Sequence, residues 1–477
     1  MELLAEQKRC LDCLVSSIEQ LGGRVDIPKL EQIAELIIQT MRGPWRYFHT
    51  SEHIFEVGGS VDPIEVLAAL FHDLVYVQVD QGVSFNISSA LCPFVKEVRS
   101  QLVIRDETER PDDAIYQLVI RDETELPDDA MYQLVASVFG FISGKTLSPF
   151  GGQNEFLSAV IAAKSLEPFL PASAIAEITA CIEATIPFRP VSPSGLSAIE
   201  LLHQRLVSAN RDFNLGWSDA QTVEIVKRSV RLANRDVENF ASRNSSNFLD
   251  NTWNLMPETN HELTNVNSYT VAGYRRSLQK MEGFLNFLKP ELVFQQFMQE
   301  PDDETYANLI ARTRKNIEVA KLYLGVKLIT IAILEALSYR LGRDIPLSTM
   351  MGELRTPGFK TSVLEDYLPN RQSAYPLESQ LQREVLDLLE IGRNQESRYD
   401  IKNSPVSTFI IKSIGFAETE NFLKKAQEFF ADPTSSEEFL SYCAPDVIET
   451  ISSGVMKLFD SRKTALGKVK LVHQTVS

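Results

Sequence analysis

The chain has 477 residues and a net charge of −17, with 44% hydrophobic and 23% charged residues. That length suits two or three domains, each with its own core, and the composition is ordinary for a soluble globular protein. The acidic balance argues against nucleic-acid partners, which require basic surface to displace counterions. It also makes a phosphorylated substrate dependent on a metal or a local basic cluster.

Residues 1 to 42 show helical periodicity twice, around LDCLVSSIEQL and IPKLEQIAELIIQTM, separated by Gly22-Gly23. The N-terminus carries charge within its first seven residues, at Glu2 and Glu6, and lacks a secretory pattern. Five scattered cysteines (Cys10, Cys13, Cys92, Cys181, Cys443) suit a reducing compartment. Cys10 and Cys13 read as residues on a helix face. The expectation is a cytoplasmic protein with no membrane contact. The most apolar later run, Leu322 to Leu337, is broken by Lys327 and Glu335 and is too short to span a bilayer.

The stretch from Trp45 to Tyr76 holds His49, His53 and His72, three of the six histidines, and Asp73 follows His72 directly. Four residues separate His49 from His53, so in a helix their rings share a face. The run LAALFHDLVY is apolar on both sides of its His-Asp pair, which predicts a second helix with an ionisable dipeptide buried in it. Buried charge is costly unless it is paired or ligates a metal. A lone His on an apolar face is ordinarily a core residue. H-x-x-x-H, a Gly58–Pro63 turn and an apolar run ending in His-Asp together point to a divalent-cation site.

Residues 101 to 132 are a tandem repeat, QLVIRDETERPDDAIY then QLVIRDETELPDDAMY, differing only at Arg110/Leu126 and Ile115/Met131. Two copies are too few for a solenoid, and they read as a duplication inside a surface loop or helix end with a solvated acidic face. Helical patterning resumes over 133 to 242 and twice ends in A-N-R-D, at Asp212 and at Asp236. The polar, turn-rich run from Ser242 predicts a boundary near residue 250. Beyond it, amphipathic patterns cover 274–299, 304–341, 378–397, 405–431 and 435–459, without a phosphate-binding glycine motif. Strand signals are weak, so the fold class expected is all-α, with one helical domain over 1–250 and another over 251–477.

R-Y-F-H-T-S-E-H-I followed by L-A-A-L-F-H-D-L-V-Y resembles the HD-domain metal-dependent phosphohydrolases. The resemblance covers roughly the first half of the chain. It implies that His53, His72 and Asp73 ligate a divalent metal ion (Mn2+, Mg2+, Fe2+ or Zn2+), and that His49 is the general acid that protonates the leaving oxygen. Such sites close with an Asp from a later helix. Both Asp212 and Asp236 qualify, and Asp236 is preferred because L-A-N-R-D-V continues an amphipathic helix. Relatives follow the His-Asp helix with Asn-Glu and then Ser-Ala; the run FNISSA offers Asn86 and Ser89-Ala90 but no acid, and Thr185 is not followed by the His common in relatives.

The resemblance implies a metal-dependent phosphohydrolase cleaving a phosphoester, with a small phosphorylated molecule such as a nucleotide as substrate. The alternative is a regulatory or scaffold protein that keeps the HD fold for binding, with a protein partner taken up by the motif-free C-terminal half.

Overall fold

The computed structural model describes residues 2–99, 116–354, 361–373 and 375–467. Among these the chain is predominantly helical, with twenty α-helices and one two-stranded hairpin. It divides into two compact units, Met1–Ala241 with Leu288–Thr313, and Ser242–Phe287 with Arg314–Ser477. No helix among the described residues is long and apolar enough to cross a membrane.

The first unit opens with α1 (Glu2–Gln20) packed on α2 (Ile27–Met41), then α3 (Ser51–Val57) and α4 (Pro63–Phe71). The start of α4 is fixed locally: Asp62 Oδ1 accepts from Ile64 N at 2.9 Å and Pro63 occupies the first turn, where no N–H is needed. The short α5 (Val77–Asp80) and α6 (Phe85–Leu91) lead to strands β1 (Val95–Arg99) and β2 (Tyr116–Ile120). After them come α7 (Ala130–Phe139), α8 (Gln153–Leu166), α9 (Ala172–Ala184), α10 (Ala198–Asp212) and α11 (Asp219–Asp236). Capping boxes start α10 at Ser197/Glu200 and α11 at Ser218/Gln221. The middle of this unit is α9, ASAIAEITACIEA, on which α4, α7, α8, α10 and α11 all pack. Its alanines let five neighbours approach closely, and almost every residue from Ala174 to Ala184 is buried.

In the second unit α12 (Ser245–Thr259) and α13 (Val271–Phe287) precede the long α14 (Asp303–Ser338), and the division between units falls within α14. Then follow α15 (Leu347–Met351), α16 (Gln380–Glu390), α17 (Pro405–Ile414), α18 (Thr419–Ala431), α19 (Ser436–Tyr442) and α20 (Pro445–Leu466). Lys327 and Glu335, which interrupt the apolar run of α14, are buried and paired, with Asp400 at 2.9 Å and Arg275 at 2.8 Å.

The structure departs from the sequence pattern at three places. The polar, turn-rich run from Ser242 contains α12. Asn244 caps it, and Phe248, Leu249, Thr252, Trp253 and Met256 form a buried stripe at helical spacing among the Asn and Ser residues. The 405–431 pattern is two helices, broken at Gly415 with φ 78°. The first repeat copy lies outside the described residues apart from the backbone of Tyr116; in the second, residues 121–129 form the expected exposed acidic loop, but both ends of the copy are built into the unit. Its QLVI forms β2, pairing antiparallel with β1, and Ile120 is fully buried. Its last residue, Tyr132, stacks on Phe94 with ring centroids 4.4 Å apart. Asp129 caps α7 through a 2.9 Å bond from Tyr132 N and meets Lys164 at 2.8 Å.

The β1–β2 register gives the duplication a simple test. Val98 pairs with Gln117, so deleting residues 101–116 joins Ser100 to Gln117 and leaves Arg99-Ser100 as a two-residue hairpin connection with the pairing intact. This variant is expected to melt within about 5 °C of the parent. Deleting 117–132 instead keeps a copy with Arg110 in the place of Leu126, whose side chain packs partly buried on the core. That variant is expected to fold but to be less stable by about 1 kcal/mol. Failure of both deletions to fold would show that each copy has its own place in the core.

Candidate metal centre

Four residues from three helices converge in the first unit. His53 lies inside α3, His72 caps the C-terminus of α4 with Asp73 just beyond it, and Asp236 is the last residue of α11. One ligand atom from each falls within 4.8 Å of the others. His53 Nε2 is 3.1 Å from Asp236 Oδ1 and 3.3 Å from Asp73 Oδ2; His72 Nε2 is 3.0 Å from Asp73 Oδ2 and 3.3 Å from Asp236 Oδ1. Ligand atoms about 2.1 Å from one ion stand roughly 3.0–3.4 Å apart along the edges of an octahedron or tetrahedron. The observed edges match that spacing, so the group can hold a metal ion.

The imidazoles also present the right nitrogen to the cluster. His72 Nδ1 sits 2.8 Å from Ala69 O. A carbonyl only accepts, so Nδ1 carries a proton, and Nε2 is the atom turned toward the cluster, free to ligate once its own proton is lost. His53 Nε2 is enclosed without a well-aligned hydrogen bond. A buried nitrogen left in that condition is costly, and ligation would satisfy it.

The surroundings hold these groups in place. Glu65 on α4 is buried and receives Arg231 at 3.1 Å and Arg235 at 2.6 Å, both from the last turns of α11. Arg235 also donates to Val57 O at 2.7 Å, tying α11 to the end of α3. Arg228 on α11 binds both Asp62 and Glu177. Thus the arginine next to Asp236 is a structural clasp. Arg46, whose side chain is fully buried, donates to Asp73 O at 2.8 Å and Leu74 O at 3.3 Å and pairs with Asp80 at 2.6 Å. From the other side, Asn154 and Ser158, one turn apart on α8, accept from Val77 N at 3.1 Å and Val75 N at 2.9 Å. The chain leaving Asp73 is therefore fixed through its backbone.

His49 is not among the four converging residues. The spacing predicts His49 and His53 on one helix, but α3 begins at Ser51, and His49 lies in the bend before it. Its ring is 4.6 Å from Tyr76 and 5.7 Å from His53, and its charge reaches Asp73. The second predicted helix likewise stops short of its dipeptide, ending at Phe71. Asp212, the other candidate closing residue, is half-exposed and bound to Arg211 at 2.9 Å.

One acid beside the cluster escaped sequence reasoning, which looked for it at Asn86–Ala90 on α6. Glu155 is in the first turn of α8, next to Asn154, and feels the charges of Asp73, Asp236 and Arg189. Its Oε2 is buried without a partner among the described residues. Burial, reinforced by the two aspartates, pushes its carboxyl up to about 7. The readable signal was N-E-F-L-S-A, which sets Asn154 and Ser158 one turn apart on a helix.

Electrostatics distinguish the metal-free site. Burial opposes a proton on His53, but Asp236 and Asp73 outweigh it and raise its pKa to about 9; His72 is raised for the same reasons. Burial opposes the Asp236 anion, yet His72 and His53 bring it down to about 2. At neutral pH two protons thus occupy the place of one divalent cation. Binding of Zn2+ or Mn2+ at pH 7 is expected to release about two protons per ion, with affinity rising up to pH ~9. Calorimetry in buffers of different ionisation enthalpy counts them, and release of less than one would show that the imidazoles are neutral. The stability contributed by protonated His53 is complete below its ordinary value of 6.5 and lost as pH rises through about 9. That from ionised Asp236 is complete above 3.8 and lost as pH falls through about 2. The metal-free melting temperature should therefore decline above about pH 6.5. Comparisons with protein-family models, curated proteins and solved structures find no match to this chain, so the assignment of the site rests on its geometry.

Proposed function

We propose that this chain is a metal-dependent phosphohydrolase of the HD type that cleaves a phosphoester, with nucleotides as the substrate class to test first. The observation that carries the reading is the spacing of the two imidazole nitrogens and two carboxylate oxygens at 3.0–3.3 Å, with a third histidine and a third acid alongside. The sequence resemblance gains support from α8. The Asn-Glu and Ser-Ala that relatives carry after their His-Asp pair occur here as Asn154-Glu155 and Ser158-Ala159, displaced by the hairpin and the repeat.

His53, His72, Asp73 and Asp236 would hold the ion, and a set of two imidazoles and two carboxylates suits Mn2+, Fe2+ or Zn2+ better than Mg2+. When bound, the ion supplies Lewis acidity toward the phosphoryl oxygens and a source of hydroxide near neutral pH. His49, close to Asp73 but outside the ligand set, protonates the leaving oxygen, a task suited to an imidazole. Glu155, whose carboxyl burial holds above its ordinary range, takes up a proton from the attacking water in its ionised form. Arg46 and the Asn154–Ser158 pair keep the Asp73 turn rigid, so the ligands are preorganised.

Elemental analysis of the purified protein is expected to find a divalent metal that His72→Ala and Asp73→Ala both remove. Asp236→Asn should lose more metal than Asp212→Asn. His49→Ala should retain the metal and lower turnover on a nucleotide and phosphoester panel by about 10²–10⁴-fold. Glu155→Gln should also retain it and lower turnover. Equal metal in wild type, His72→Ala and Asp73→Ala would sink the metal assignment. A metal-loaded wild type with no hydrolysis across the panel would favour the scaffold reading.

A further inference from the structure

The second unit contains a cavity of about 100 Å3 in which the proposed hydrolysis has no part, and every residue of its wall belongs to that unit. Its size is of the order of the ~150 Å3 cavity that accommodates benzene. Part of the wall is apolar: Ile331, Leu334, Leu347, Met351, Val363 and Val406. The polar part is built around an ion pair between Lys327 on α14 and Asp400, 2.9 Å apart.

A buried ion pair whose hydrogen bonds are all used is a structural element. This one is incompletely used. Asp400 Oδ2 accepts from Trp253 Nε1, Tyr274 OH and Lys327 Nζ, each at 2.9 Å, while its Oδ1 accepts from none of the described residues. Burial opposes the Asp400 charge, but Lys327 and Arg393 outweigh it and keep the carboxyl below its ordinary range. Lys327 is only 8% exposed and donates to Asp400 and, at 3.3 Å, to Ser404 Oγ; its ammonium also lies 5.5 Å from the Trp253 ring and 5.7 Å from the Tyr274 ring, and one of its three N–H groups has no oxygen or nitrogen acceptor among the described residues. An ionised acceptor and an ionised donor thus remain open side by side, next to an aliphatic wall.

We propose that this cavity binds an α-amino acid with an apolar side chain, whose ammonium donates to Asp400 Oδ1 and whose carboxylate accepts from Lys327 Nζ. The side chain lies against the aliphatic wall. A zwitterion satisfies both open groups and leaves the buried charge balanced. A plain carboxylate would bring a negative charge against Asp400, and a plain amine a positive charge against Lys327. Glu353 and Glu365, also in the wall, repel acidic side chains.

The test is calorimetry on the full-length protein with L-leucine and L-phenylalanine. It is repeated with 3-methylbutylamine and 4-methylpentanoate, which each lack one charged group of leucine, and with L-glutamate. At least one of the two apolar amino acids should bind in the micromolar to millimolar range. For leucine, removing either charged group should weaken binding at least about tenfold, because it leaves a buried charge unanswered. L-Glutamate should bind no better than these analogues. Lys327→Met should abolish binding but also removes a core ion pair, so Met351→Trp is the second variant. It fills the cavity from its wall, leaves the ion pair in place, and should abolish binding without lowering the melting temperature. No binding of either apolar amino acid at millimolar concentration overturns the proposal. So does an analogue that binds as tightly as leucine, which would assign the cavity to organic cations or to carboxylates. Undiminished binding to a folded Met351→Trp variant would place the ligand elsewhere and overturn it equally.

Discussion

Glu65 is the constraint on which the geometry of the first unit turns. A carboxylate 2% exposed on a helix as apolar as α4 is expensive to keep ionised unless cations answer it. Arg231 and Arg235 do so, and both come from the end of α11. Pairs of this kind add little net stability, since desolvation offsets much of their attraction, but breaking one is severe. What they secure is register. They set how far α11 slides along α4, and so whether Asp236 arrives opposite His72, 164 residues earlier in the chain. The clasp that binds Arg228 to Asp62 and Glu177 reinforces the same alignment from the start of α4.

Seen this way, the cluster and its clasp obey one rule. Each buried charge is answered by another within about 3 Å, and apart from the His72–Asp73 contact the answering group comes from another element of the chain. The two aspartates of the cluster are balanced by two imidazolium protons in the absence of an ion, and a divalent cation keeps the sum unchanged. The site can therefore be built before it is loaded, which explains how such polar groups sit in an interior lined by Ile54, Leu67 and Phe71.

How much was legible follows from how local each signal is. His53, His72 and Asp73 lie within a short motif in an apolar context, and burial there could be read directly. Asp236 and Asp212 share the same four-residue context. Only the helix around them separates the two: Leu232 and Ala233 carry the buried face of α11 to its end, whereas α10 ends beside Asn214 and Gly216 in an exposed turn. Glu155 was missed because the hairpin and the repeat push α8 far from the His-Asp pair. The strand QLVI is too short for alternation to show, and its partner supplies the hydrogen bonds that make it a strand at all. In α12 the asparagines and serines imitate a loop, and the stripe centred on Trp253 overrides them.

The return of Leu288–Thr313 to the first unit has a consequence for how the protein is made. Gln295 N donates to Asn234 Oδ1 at 2.8 Å, Gln295 Nε2 donates to Ala184 O at 2.7 Å, and Glu300 receives Arg231 at 3.0 Å. Two of these bonds hold the last turns of α11, the helix that ends in Asp236, and the third holds the end of α9. A nascent chain that has emerged only as far as Ser242 thus has every ligand of the cluster in hand but lacks the strap that seats the final one. Ribosomal synthesis at roughly 5–20 residues per second separates the two events by several seconds. During that interval the chain from Ser242 to Phe287, which belongs to the other unit, has already emerged. The two units are therefore interleaved in time, and the first matures after the second has begun.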